Sequence, residues 1–300
     1  MKYAAININV DSVGEEMNFS YRGIDPAFTA ASDRLLSFSR RFRFPYTFFI
    51  VGKDLDSSIH RQAVRRWSRE GHEIGNHSWT HHNNLGALTR EEIVREVKKT
   101  HERLVAVTKK KPVGFISPGW SHSEKLLSVL EKIGYEYDCS LFPSWTMMPA
   151  ILKLFMNRWK DQRKWRILQR PDVLTNFFGR TTPFRYRRLA ELPLPVGRFR
   201  LPCYHTMGFI WGWNMQRRVL QECLARHECF YYLMHPVDVL DTHDVPLGLS
   251  QRIERLEVPV SEKLARAQEM IDLILKSGRR IITMKDLARR TVTPFVASVV

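Results

Sequence analysis

His77 and His81 stand four residues apart in the stretch GHEIGNHSWTHHNN, residues 71–84, directly behind a short apolar segment. Two imidazoles at that spacing can reach one cation from a helical turn or a tight loop, leaving room for a carboxylate from elsewhere and for water. His72 and His82 lie in the same stretch, so ordinary satisfied polar histidines are the competing explanation. Asp11 closes AININVD, in which Ile6, Ile8 and Val10 alternate with Asn7, Asn9 and Asp11. Such alternation puts the three polar residues on one face of a strand. Asp11 is therefore a candidate third ligand, although an acidic residue ending a strand is more often a helix cap or turn former.

These residues sit in a repeating order of elements: strand AAININV, helix, strand YTFFIV, helix, strand HEIG. Alternation of strands and helices predicts a parallel sheet covered by helices. Sites in such folds gather at the carboxyl ends of strands, where Asp11 and His77 fall. Farther along, Ile253, Leu256, Leu264, Ala267 and Ile271 recur at helical spacing and predict a long helix over about 250–277, followed by strand RRIITM and helix KDLARR. Core packing explains that helix without any functional role. At 300 residues and 44% apolar content, one large domain over 1–300 is expected.

The order of motifs resembles the polysaccharide deacetylases with NodB homology (carbohydrate esterase family 4). TFFIVGKDL (47–55) is similar to that family's second strand, and GHEIGNHSWTHHNN to its HSxxH histidine motif. GFISPGWSHS (114–123), YDCSLFP (137–143) and YYLMHPVDVLD (231–241) resemble its later motifs, in the same order. The resemblance implies a distorted (β/α) barrel of about seven parallel strands that holds a divalent ion, usually zinc, and hydrolyses the acyl amide of an amino sugar. It implies Asp11, His77 and His81 as metal ligands and His235 as the general acid for the leaving amine, with Pro118, Gly119, Trp120 and Leu233 contacting substrate. The ion would polarise the acyl oxygen and activate water. An imidazole suits the acid's task because its ordinary pKa is near 6.5.

Two positions depart from the pattern. Asn9 stands where the family has its aspartate base, and Ile116 where it has the arginine that orients that base. The two losses are self-consistent, because an arginine left without its carboxylate would be a buried unpaired charge costing several kcal/mol. Three explanations stay open. Another base can replace the aspartate, with Glu15, Glu16, His122 and Asp238 as candidates. Alternatively the register shifts, making Asp11 the base with Ser12 at the ligand position. Lastly, the protein binds a sugar without turning it over.

The segment 144–215 breaks the strand and helix alternation and is expected to be an insertion. Residues 151–200 carry 13 Lys plus Arg against 3 Asp plus Glu, most of the formal +16. Its opening mixes Trp159 and Trp165 with Arg163 and Lys164, so a helix there would be basic, amphipathic and suited to an anionic membrane surface. A solvated basic face packed on the barrel explains the same pattern without lipid. No nucleic-acid motif accompanies the charge, and no nucleic acid is expected as partner. ELPLPVGRFRLPCYHT (191–206) predicts short strands punctuated by proline, with Arg198 or Arg200 available for a phosphate.

The first strand begins within a few residues of Met1, with no leader or cleavage signal, and Cys139, Cys203, Cys223 and Cys229 form no CxxC pair. A cytoplasmic protein, peripheral on the inner face of the membrane, is the expectation. An acylamino sugar carried on polyprenyl phosphate then becomes the expected substrate, with acetyl as the leaving acyl group, and in this the chain resembles cytoplasmic deacylases of lipid-linked sugars.

Overall fold

The computed structural model describes residues 1–13, 24–146, 176–245 and 254–291. Nine strands among them form one sheet: β1 (Lys2–Val10), β2 (Thr47–Ile50), β3 (Glu73–Asn76), β4 (Gly114–Phe115), β5 (Tyr137–Asp138), β6 (Phe184–Tyr186), β7 (Leu189–Glu191), β8 (Cys229–Met234) and β9 (Arg279–Ile282). The order along the sheet is β6-β7-β5-β4-β3-β2-β1-β8, curled into a half-barrel. All pairings are parallel except the β6–β7 hairpin.

Strand β1 is the hub. β8 runs along one edge, from Tyr3 opposite Cys229 to Ile8 opposite Met234. β9 pairs with Lys2 to Ala5, and β2 with Asn7 to Val10. A strand has two edges, so β9 and β2 share the second one end to end.

Covering helices are α1 (Ala30–Phe42), α2 (Ser58–Arg69), α3 (Arg90–Thr108), α4 (Glu124–Ile133), the short α5 (Met207–Trp211), α6 (Trp213–Arg226), α7 (Val260–Lys276) and α8 (Met284–Thr291). Ile6, Ile8 and Val10 join the cluster beneath the helices, with Leu35, Trp67, Leu220 and Ile271. Ala5 lies instead in the barrel-side cluster with Phe49, Ile116, Tyr137 and Leu233. By alternation Asn7, Asn9 and Asp11 take that inner side, as the sequence pattern requires. Both clusters are sealed from water, and each fully buried Phe or Ile contributes roughly 1.5–3 kcal/mol.

Two expectations change. The long helix begins at Val260 rather than near 250, because Pro259 is its N-cap and Glu254–Glu257 form a separate turn; proline disfavours helix in the residue before it. Part of the expected insertion, 184–191, belongs to the sheet itself, since β7 pairs in parallel with β5. Glu15, Glu16, Trp159, Arg163, Lys164 and Trp165 lie outside the described residues.

Candidate active site

Asp11, His77 and His81 meet at the carboxyl ends of β1 and β3. Nε2 of His77 and Nε2 of His81 each lie 3.3 Å from Asp11 Oδ1, and His235 Nε2 lies 3.9 Å from Oδ2. His77 and His81 are not on a helix. They occupy a loop in which Ser78 and His81 adopt left-handed backbone conformations, at φ 63° and 54°.

That loop is held at several points. Ser78 N–H donates to Asn76 Oδ1 at 2.8 Å, and Gly52 and Lys53 donate to the Ser78 and Trp79 carbonyls. A Cβ at position 52 would press on Trp79 and Thr100, so only glycine lets the two segments approach so closely. α3 starts from a capping box between Thr89 and Glu92. One turn on, Glu96 accepts from the backbone N–H groups of Trp79 and Thr80 at 3.0 and 2.9 Å and from the Thr80 hydroxyl. No sequence signal marked Glu96, because a glutamate on an amphipathic helix looks like solvated surface.

His77 donates from Nδ1 to the Ile116 carbonyl at 2.7 Å, which leaves the Nε2 lone pair facing Asp11. Burial, the largest influence, lowers the His77 pKa, favouring the neutral ring that binds a cation. For Asp11, burial alone would raise the pKa, but His81 and His77 together hold its carboxyl well below the usual carboxylate range. Oδ1 is buried and accepts no well-formed hydrogen bond among the described residues. Converging lone pairs on nitrogen and oxygen repel one another unless a cation lies between them, so this donor set fits a divalent ion.

Behind His235 lies a second carboxylate. Asp238 Oδ2 is 3.7 Å from His235 Nδ1 and accepts from the His235 backbone N–H at 2.8 Å. Arg255 bonds Asp238 Oδ1 at 2.9 Å and the Thr206 hydroxyl at 3.1 Å, and that hydroxyl is 3.3 Å from His235 Nδ1. Burial by itself would lower the His235 pKa, but Asp238 and Asp11 outweigh it and the pKa is raised. Arg255 sits in a stretch whose apolar periodicity gave no hint of a site.

Other expected site residues are placed less directly. Asn9 is 5% exposed, and its Oδ1 has no hydrogen-bond partner among the described residues. Ile116 is fully buried, its side chain in the apolar barrel-side cluster. Pro118 is buried, while Gly119 and Trp120 are half-buried at left-handed φ of 58° and 51°. Trp120 packs against Phe142 and Tyr204, with ring centroids 4.8 and 5.2 Å away. Leu233 is fully buried and offers no surface to a substrate. Arg198 is exposed on a surface turn where its backbone N–H bonds Glu222, with no contact to the histidines among the described residues. Ser12 is buried.

Residues 21–137 match the family model described as polysaccharide deacetylase. Over that stretch the chain is similar to the polysaccharide deacetylases. The matched stretch contains His77 and His81 but neither Asp11 nor His235, which the fold brings beside them. A peptidoglycan deacetylase of Helicobacter pylori is 30% identical over 108 residues, 36% of either chain. The peptidoglycan-N-acetylmuramic acid deacetylase PdaA of Bacillus subtilis is 31% identical over 104 residues, 34% of this chain and 38% of its own. The chain therefore spans little more than a third of the length of these relatives.

Two solved structures share the fold at low identity. A peptidoglycan N-acetylglucosamine deacetylase gives a TM-score of 0.52 at 14% identity, covering 96% of this chain and 88% of its own. A CE4 family pseudoenzyme from Bacillus anthracis gives 0.50 at 15%, covering 96% and 65%. No described helix is long and apolar enough to cross a membrane.

Proposed function

We propose that this protein removes an N-acyl group, acetyl by preference, from an amino sugar, with a divalent cation, zinc for preference, held by Asp11, His77 and His81. The observation that carries this is the convergence of the two Nε2 atoms on Asp11 Oδ1, with His235 on the other oxygen of the same carboxylate. When bound there, the cation supplies positive charge to the acyl oxygen and acidifies water. The equidistance of Asp11 Oδ1 from both histidines favours Asp11 as ligand over the register that would make it the base.

Hydrolysis breaks the carbon–nitrogen bond, puts a water oxygen on the acyl carbon and returns a proton to the amine. His235 gives that proton in this reading, supported by Asp238 beside its Nδ1 and by Arg255 bonded to Asp238. Asp238 itself is fully buried behind His235 and bound by Arg255, which suits a positioning role better than that of a base. His122 faces Glu191. Glu15 and Glu16, which follow Asp11 in the chain, are the candidates left for taking the proton from water.

The basic, tryptophan-bearing stretch around Trp159 and Arg163 supports a lipid-linked sugar at an anionic membrane surface as the substrate, with the protein on the cytoplasmic side. A second reading is favoured by Asn9 and Ile116: a sugar-binding protein that retains the cation but lacks the base. Amine release from polyprenyl-phosphate N-acetyl sugars and from peptidoglycan fragments, together with metal content, separates the two. Turnover lost in His81→Ala and His235→Ala supports the hydrolase. Stoichiometric metal with no amine released from any of these sugars would leave the binding protein.

A further inference from the structure

A second cluster lies on the far limb of the sheet, in residues to which hydrolysis assigns no task. Asp138 on β5 and Glu191 on β7 are paired in register, so their side chains stand next to each other on one face. Both are fully buried, and His122, 7% exposed, faces them from the loop that follows β4. One ligand atom from each of the three lies within 4.8 Å of the others, with His122 Nε2 3.9 Å from Glu191 Oε2.

Three of the four carboxylate oxygens are already engaged. Asp138 accepts from the Ser140 hydroxyl at 2.7 Å and its backbone N–H at 3.1 Å, and Glu191 Oε1 accepts from the Leu141 N–H at 3.2 Å. Glu191 Oε2 is different: buried, turned toward His122, and bonded by no N–H or hydroxyl donor among the described residues. Among the described residues no lysine or arginine forms an ion pair with either carboxylate. Two adjacent buried carboxylates without a compensating charge repel each other strongly, so the cluster must take up a cation or a proton.

We propose that His122, Asp138 and Glu191 form a second divalent-cation site, separate from the one at Asp11. An imidazole and two carboxylates are a donor set suited to Zn2+ or Mn2+. Its role is structural. The cation ties the loop carrying Gly119 and Trp120 to β5 and β7, and so fixes the wall that Trp120 builds against Phe142 and Tyr204. This does not depend on the protein being a hydrolase.

The test is metal stoichiometry on chelator-stripped full-length protein titrated with Zn2+ and with Mn2+, read by calorimetry and by melting temperature. Wild type should take up two equivalents and the His77→Ala, His81→Ala double variant one, with Mn2+ still raising the melting temperature of that variant. Glu191→Gln and His122→Gln should each retain one equivalent, at Asp11, and adding Glu191→Gln to the double variant should abolish the Mn2+ shift. Two independent substitutions guard against misfolding in either. Saturation of wild type at one equivalent, unaltered by Glu191→Gln, would overturn the site and leave a shared proton as what relieves the buried charge.

Discussion

His77 donates through Nδ1 to the main-chain oxygen of Ile116 at 2.7 Å, so a residue whose side chain departs from the family pattern still orients this histidine through its backbone. The substitution at 116 replaces only what the side chain would have done. The carbonyl is delivered by β4 and the residue after it, where Ile116 N–H bonds the Asn76 carbonyl at 3.2 Å. The orientation of His77 is thus insulated from changes in the side chain at position 116.

That insulation has a measurable counterpart. Asn9→Asp should lower the melting temperature, because it buries a second carboxylate near Asp11 with no counter-charge. Ile116→Arg should lower it as well, by placing a guanidinium in an apolar cluster. Together they should cost less than the sum, with a coupling of about 1–3 kcal/mol in a double-mutant cycle from chemical denaturation. Strict additivity would mean that the two side chains do not meet.

The histidine loop should depend on Glu96. Glu96→Gln keeps the shape but weakens acceptance from Trp79 and Thr80, and cation affinity at Asp11 should fall by roughly 10–100-fold, the usual effect of removing an outer partner. The fold should stay intact by circular dichroism. Unchanged affinity would show that Asn76 and the Gly52 contact hold the loop by themselves.

Asp238→Asn should reduce kcat by about 100-fold or more while leaving KM and metal content close to wild type. The limb of the pH–rate profile that reports His235 should move to lower pH, since Asp238 is among the groups that raise that pKa. Arg255→Met should move the same limb the other way, toward higher pH, since the Arg255 charge is among the influences that lower that pKa. A fall in kcat with no shift of the limb would assign Asp238 to the fold alone.

Acid stability should be sensitive to His72. Its Nδ1 accepts the Tyr46 backbone N–H at 3.0 Å, and burial depresses its pKa to about 4. A histidine that resists protonation when folded contributes stability that is present above about pH 6.5 and is lost as pH falls toward 4. The loss is on the order of 3 kcal/mol, so melting temperature should drop through that window. His72→Asn, which can still accept from Tyr46, should flatten the curve there; a curve as steep as wild type would place the titrating group elsewhere.

Much of this was legible in the residues. The alternation in AININVD assigned Asp11 to the inner face, and the four-residue histidine spacing marked the loop, because both signals are local. What the sequence did not disclose was set by distance along the chain. Asp138 lay inside a recognisable motif and Glu191 opened a proline-rich stretch, yet only the β5–β7 register makes them neighbours. Thr206 reaches His235, and Arg255 reaches Asp238, from segments with no motif at all. The early start assigned to α7 followed apolar periodicity across Pro259, where the backbone constraint prevailed.

The shared edge of β1 also bears on how the chain acquires its shape during synthesis. Tyr3 waits for Cys229 and Lys2 for Arg279, so the strand that carries Asp11 remains without one flank, and without the lower half of the other, until most of the chain has been made. Contacts so remote in sequence slow folding and leave an apolar strand exposed meanwhile. A nascent chain halted before β8 would carry its histidine loop on a sheet with a bare central edge, a form prone to capture by chaperones or by other unfinished copies.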